Sequence, residues 1–135
     1  MKTAGEIENF ILGLVVESEM TASLNGSCYR AGLRPKNSKL EDVEINFITS
    51  NAEQIQTGVV QISIFIPQVF QKDGTSRKNI ARCDEIEQLA VQFTDTLITA
   101  NTSDFLLTNF QTIQTIELQE IQQNIVIIKL KFKTI

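Results

Sequence analysis

The chain has 135 residues, 42% hydrophobic and 21% charged, with a formal net charge of -4 and a sequence pI near 4.8. That is ordinary globular usage, enough for one domain and one core over 1–135, and it argues against a disordered chain. The acidic balance argues against a surface wholly committed to nucleic acid but leaves a local basic patch open. The absence of histidine removes the commonest general base, the Ser-His and Cys-His nucleophile pairs and the usual zinc and iron ligand sets.

The first element is a helix. Thr3 suits the N-cap and Glu6 completes a capping box. Ile7, Phe10, Ile11, Leu14 and Val15 then recur at helical spacing. Leu12 and Val16 widen the apolar surface, so the helix reads as one covered on two sides, by its own sheet and by a neighbouring subunit. Gly13 inside it costs about 1 kcal/mol against Ala, which suggests a close packing contact there. The run "FILGLVV" is far too short to span a bilayer, and the start of the chain reads as that of a soluble protein kept inside the cell, with no membrane partner.

"NGS" marks a turn. "SCYRA" reads as a short strand and "LRPKNSK" as loop, because Arg34 precedes a proline. In "EDVEINFIT", Val43, Ile45 and Phe47 alternate with polar residues, the period of a half-buried strand. Ser50 and Glu53 form a second capping-box match, so a helical turn closed by Gly58 is expected there. "VVQISIFIP" is the next strand, ended by Pro67. The 67–78 stretch reads as a loop, with Asp73-Gly74 as a turn that equally suits a hairpin tip. A long helix from about Arg77 to about Ala100 buries Ile86, Leu89, Ala90, Phe93 and Leu97, with Asp84 and Glu85 near its start suiting the dipole. "NTSDFLLTNF" reads as a connector. "TIQTIELQ" and "NIVIIKLKFKT" form a closing hairpin, with Ile116, Leu118, Ile128, Leu130 and Phe132 turned in and Lys129, Lys131 and Lys133 turned out.

The order α-β-β-β-α-β-β predicts an α+β fold: a mainly antiparallel sheet with two helices packed on one face. The second sheet face would carry Glu44, Asn46, Gln61, Ser63, Glu117, Lys129 and Lys131, with Val59, Phe65 and Ile127 on the same side.

Little catalytic chemistry is legible. No phosphate-binding loop, dinucleotide fingerprint or CxxC occurs, and no cofactor is expected. Cys28 and Cys83 lie far apart and read as free thiols. Asn25-Gly26-Ser27 and Asn101-Thr102-Ser103 match the glycosylation pattern by accident in a chain with no secretory signal. Glu41-Asp42 is the obvious carboxylate pair, but neighbours on a strand point to opposite faces. The basic residues Arg30, Arg34, Lys36 and Lys39 either bind a partner or pair locally with Glu41, Asp42 and Glu44, and the local reading is favoured. Tyr29-Arg30 suits an interface anchor. The ladder Lys129, Lys131, Lys133 either protects an edge strand or faces nucleic acid, the first being favoured.

The stretch "GSCYRAGLRPKNSKLEDVEIN" followed by "NAEQIQTGVVQISIFIP" resembles the tail-terminator (tail-completion) proteins of long-tailed bacteriophages and prophages. The resemblance rests on Gly26, Tyr29, Arg30, Arg34, Pro35, Ser38, Glu41, Asp42 and Gly58, about a third of the chain. It implies a structural role rather than an enzymatic one. Such proteins form a ring, usually hexameric, at the head-proximal end of the tail tube, where they stop tube growth and dock the head-tail connector protein. It further implies that Tyr29, Arg30, Arg34, Pro35, Glu41 and Asp42 belong to an intersubunit or docking segment. Lys129, Lys131 and Lys133 would line a lumen through which DNA passes, and the 67–78 loop would be an arm ordered only beside a neighbour. The isolated chain is then expected as a monomer or a ring, first in the cytoplasm of the bacterial host and then in the virion tail. The alternative is a stand-alone cytosolic module binding a small ligand between sheet and helices, with a sizeable apolar pocket and an ordered 67–78 loop.

Overall fold

The structure, a computed structural model, describes residues 2–52, 55–101, 105–109 and 111–134. Helix α1 (Ala4–Val16) and the single turn α2 (Glu19–Ala22) precede strands β1 (Cys28–Arg30), β2 (Val43–Ala52) and β3 (Gln56–Pro67). A small hairpin, β4 (Val69–Phe70) and β5 (Ser76–Arg77), leads into the long helix α3 (Ile80–Ala100). Strands β6 (Phe105–Asn109), β7 (Gln114–Leu118) and β8 (Gln123–Thr134) complete the chain, with a 3₁₀ turn at Gln119–Ile121 between the last two.

The caps explain where the helices start. Thr3 Oγ1 accepts from the Glu6 amide at 3.2 Å; the Glu6 carboxylate accepts from the Thr3 hydroxyl instead of closing the usual reciprocal box. Ser18 caps α2 by accepting from the Thr21 amide. Asn79 Oδ1 accepts from the Arg82 amide, so α3 begins at Ile80, three residues later than its sequence suggests. Asp84 and Glu85 therefore lie beyond the first turn, where the dipole acts most strongly.

The main sheet runs β1-β2-β3-β8-β6, with β7 also on β8. It is antiparallel except at β1, which lies parallel to β2 through Cys28↔Val43, Tyr29↔Glu44 and Arg30↔Ile45. Long β3 and β8 pair over their full length, from Gln56↔Thr134 to Pro67↔Gln123. The far side of β8 is shared: β7 pairs with residues 123–127 and β6 with residues 130–134.

One connected core lies between the sheet and the helices. Ile7, Ile11 and Val15 of α1 and Cys83, Ile86, Ala90, Phe93 and Leu97 of α3 meet Val43, Ile45, the even-numbered residues 60–66 of β3 and the even-numbered residues 126–132 of β8. Each large side chain buried this way contributes about 1.5–3 kcal/mol. Both long helices thus cover one sheet face, as the α+β pattern predicts, and the opposite face is open. No helix among the described residues is long and apolar enough to cross a membrane.

Five further expectations change. Ser50 to Ala52 continue β2 instead of opening a helical turn, with Ser50 opposite Gly58; Glu53, the other half of that capping-box match, lies outside the described residues, as do Thr102 and Ser103 of the second glycosylation match. "FLLTN" is a strand, not a connector, its Phe105 and Leu107 buried. The β7 faces are reversed: Ile116 pairs with Ile125 and Leu118 with Gln123 on the open face, while Glu117 pairs with Asn124 on the helix side. The 3₁₀ turn, ending at Gln122 with φ 53°, sets that register. A Cβ at Gly13 would meet nothing within 4 Å, so no close packing contact requires that glycine. Finally, residues 69–77 form a paired hairpin, with Val69↔Arg77 and Phe70↔Ser76, the alternative that Asp73-Gly74 equally suited, rather than an open loop.

Candidate functional site

The 26–42 segment crosses from the β1 edge to the open face of the sheet, and its charged residues are taken up within the chain. Asp42, fully buried, is the centre. It accepts from the Ser27 amide at 2.9 Å, from Arg34 Nε at 2.9 Å and from the Ser38 hydroxyl. Arg34, its side chain 7% exposed, also donates through Nη2 to the Ser38 and Leu40 carbonyls and to Gln123 Oε1 at 3.0 Å. Its guanidinium lies 3.8 Å from the Phe65 ring centroid, a cation-π contact. Gln123 Nε2 returns a bond to the Ser38 carbonyl at 2.8 Å. This loop is what buries Phe65 and Gln123 on the open face.

The turn before β1 is locked to the same knot. The Gly26 amide donates to the Glu41 carbonyl and the Val43 amide to the Ser27 carbonyl. Asn25 Oδ1 accepts from the Glu41 amide. A Cβ at Gly26 would overlap Asp42 Oδ1 and the Glu41 carbonyl, so only glycine fits this approach. Gly58 is held in the same way against the Thr49 carbonyl and the Phe132 ring.

Glu41, which like Asp42 lies just ahead of β2, turns the other way. Its carboxylate takes two bonds from Arg82 of α3, at 2.7 and 2.8 Å. Arg82 further donates to the Ser23 carbonyl at 2.7 Å and pairs with Glu85; the Glu41 carboxylate is first among the causes that hold its guanidinium pKa above the ordinary range. Arg30 donates to Glu8 Oε2 of α1 at 2.9 Å. Local pairing is therefore correct for Arg34 with Asp42, whereas Arg30 and Glu41 find partners on the helices.

The six sequence candidates thus divide. Arg34 and Asp42 meet in one knot, and Glu41 borders it. Tyr29 and Arg30 sit half-buried on edge strand β1, and Pro35 is exposed at the loop crest. Leu33 and Leu40, also exposed, flank it. Sequence reasoning missed Arg82, Gln123 and Phe65. Arg82 and Gln123 reach the segment from 41 and 85 residues away, and no local pattern signals such a contact.

The lysine ladder is placed differently from the favoured expectation. Lys129, Lys131 and Lys133 do lie on the open face, but β8 is paired on both sides at Lys131 and Lys133, so these two cannot be guarding a sheet edge, and Lys129 falls in the gap between the β7 and β6 pairings. Their row neighbours are Gln61, Val59 and Thr57 on β3 and Thr108 and Leu106 on β6, none of them acidic. Among the described residues none of the three has an ion-pair partner.

Cys28 and Cys83 are free thiols, and burial raises the pKa of each, most simply keeping them protonated and inert. A cleft of about 280 Å³ opens between the α1–α2 corner and α3, floored by Leu14, Met20, Leu89 and Phe93 and rimmed by Glu17 and Glu19. No known protein-family model matches the chain, and no curated protein matches it.

Proposed function

We propose that the protein is a structural tail-completion (terminator) component of a bacteriophage or prophage and not an enzyme. In this reading it forms a ring of copies, six in the family it resembles, at the head-proximal end of the tail tube, stops tube growth and docks the head-tail connector. It is made in the cytoplasm of the bacterial host and ends in the virion tail.

The observation that carries this reading is the knot around Asp42. Gly26, Arg34, Ser38 and Asp42, four residues on which the resemblance rests, interlock there, and Glu41 ties the knot to α3. A network of this kind, with no reactive group aimed at a cavity, fits a loop held rigid for contact. The interface role then falls to the solvent side of the segment: Tyr29, Arg30, Pro35, Leu33 and Leu40. The open-face lysines, without ion-pair partners among the described residues, suit a surface turned toward DNA without sequence preference.

The small-ligand alternative draws on the ordered hairpin and on the cleft beside α3. That cleft lies between helices rather than between sheet and helices. At about 280 Å³ it is below the roughly 300–1,000 Å³ usual for ligand sites.

The direct test is tube capping. A tail-tube protein is polymerised with and without the chain and imaged by electron microscopy. The reading predicts density at one tube end and shorter tubes; tubes of unchanged length with bare ends would overturn it.

A further inference from the structure

We propose that the β4–β5 hairpin of one copy docks on a second copy by seating Phe70 in the cleft between the α1–α2 corner and α3. This rests on the ring reading above and names the contact that would build the ring.

The two surfaces complement each other. Phe70 is 61% exposed and Val69 44% exposed on a hairpin that pairs with no other strand among the described residues. Around them stand Lys72, Arg77 and Lys78, against the single acid Asp73. None of these three cations has an ion-pair partner among the described residues. The cleft is the counterpart, an apolar floor with Glu17 and Glu19 on its rim and no basic side chain in its lining. Both glutamates are exposed and also lack ion-pair partners among the described residues. Its volume suits an aromatic side chain better than a cofactor.

The hairpin is built to present its tip. Gln68, 5% exposed, anchors its base through the Gln122 carbonyl, Asn124, Glu117 and the Ser76 hydroxyl. Asp73 holds the turn by accepting from the Thr75 amide and hydroxyl, and Gly74 supplies the positive φ. The hairpin cannot fill its own cleft. It joins α3 at Ile80, while the cleft lies near Phe93, about 20 Å along the helix at 1.5 Å per residue. Two different patches on each copy make a heterologous contact, which gives a ring when the rotation between copies closes.

The test is charge reversal with rescue, read by light scattering of the full chain across concentration at low and high salt. Glu17→Lys with Glu19→Lys, and separately Lys72→Glu with Lys78→Glu, should each raise the association midpoint about tenfold or more. All four reversals in one chain should restore it to within about threefold. Circular dichroism checks that each variant folds. As an independent readout, Phe70→Cys chains mixed with Thr96→Cys chains, Thr96 being part of the cleft lining, should form disulfide-linked pairs that neither forms alone. Association that ignores every reversal, with no mixed disulfide, would overturn this contact and leave the ring reading standing. A wild-type chain that stays monomeric at every concentration and leaves tube ends bare would overturn both.

Discussion

Asp42 and Arg34 form the ion pair whose loss should matter most. Both are shut off from solvent, so removing one partner leaves the other charge buried without compensation, which costs about 3–5 kcal/mol. Asp42→Ala should therefore lower stability in urea by about that amount. Arg30→Ala removes a pair whose arginine is 41% exposed and should cost no more than about 1 kcal/mol. Equal losses for the two variants would contradict the assignment of Asp42 as the centre. The glycines offer a matching contrast. Gly13 is in a helix with open space around it, so Gly13→Ala should raise stability by up to about 1 kcal/mol, while Gly26→Ala should lower it through the overlap with Asp42 and Glu41. At the hairpin tip, the Thr75 hydroxyl, and after it the Thr75 amide, hold the Asp73 carboxyl below the ordinary aspartate range. A carboxyl depressed in the folded state stabilises fully above its unfolded pKa of about 4 and loses that contribution as pH falls through the folded value. Amide exchange at Thr75 should therefore accelerate, relative to its intrinsic rate, only in acid below about pH 4.

Among the elements, the long ones were legible and the short ones were not. The period-two alternation in β2, β3 and β8 and the 3.6-residue stripe in α3 identify both type and buried face, because each repeats over many residues. β6 has only five residues, of which Phe105 and Leu107 alone are buried, too few to separate a strand from an apolar connector. In β7 the alternation was visible but its phase was not. The phase depends on the 3₁₀ turn and on Gln122 in the left-handed region, and a shift of one residue moves every side chain to the other face. The knot was half legible: the Arg34–Asp42 attraction is local in sequence, whereas Arg82, Gln123 and Phe65 arrive only through tertiary packing. The lysine ladder was read correctly as outward, but whether β8 is central or an edge is a property of strand order, which local spacing does not encode. With edge protection removed, the open face predicts weak, salt-sensitive DNA retention. Replacing Lys129, Lys131 and Lys133 by Gln should leave the melting curve near wild type and reduce the salt slope of DNA binding by about two to three. An unchanged slope would remove DNA from the account of this face.

At the scale of the whole molecule, the two sheet faces differ in kind. One is sealed by α1 and α3 into a single core; the other is covered at one end by the 31–40 loop over Phe65 and Gln123, and elsewhere sets a basic column among apolar residues such as Val59, Leu106, Ile116 and Ile127. A hairpin with exposed Val69 and Phe70, an acid-rimmed cleft and the exposed Leu33 and Leu40 complete a surface better suited to neighbours than to a solitary chain. The central claim is therefore assembly. It is tested most directly by light scattering on a size-exclusion column, over a range of concentrations and with a tail-tube protein added. The account predicts a mass that rises with concentration toward one closed ring, or a ring that appears only on tube ends. A 15.2 kDa species at every concentration, indifferent to the tube protein, would contradict it.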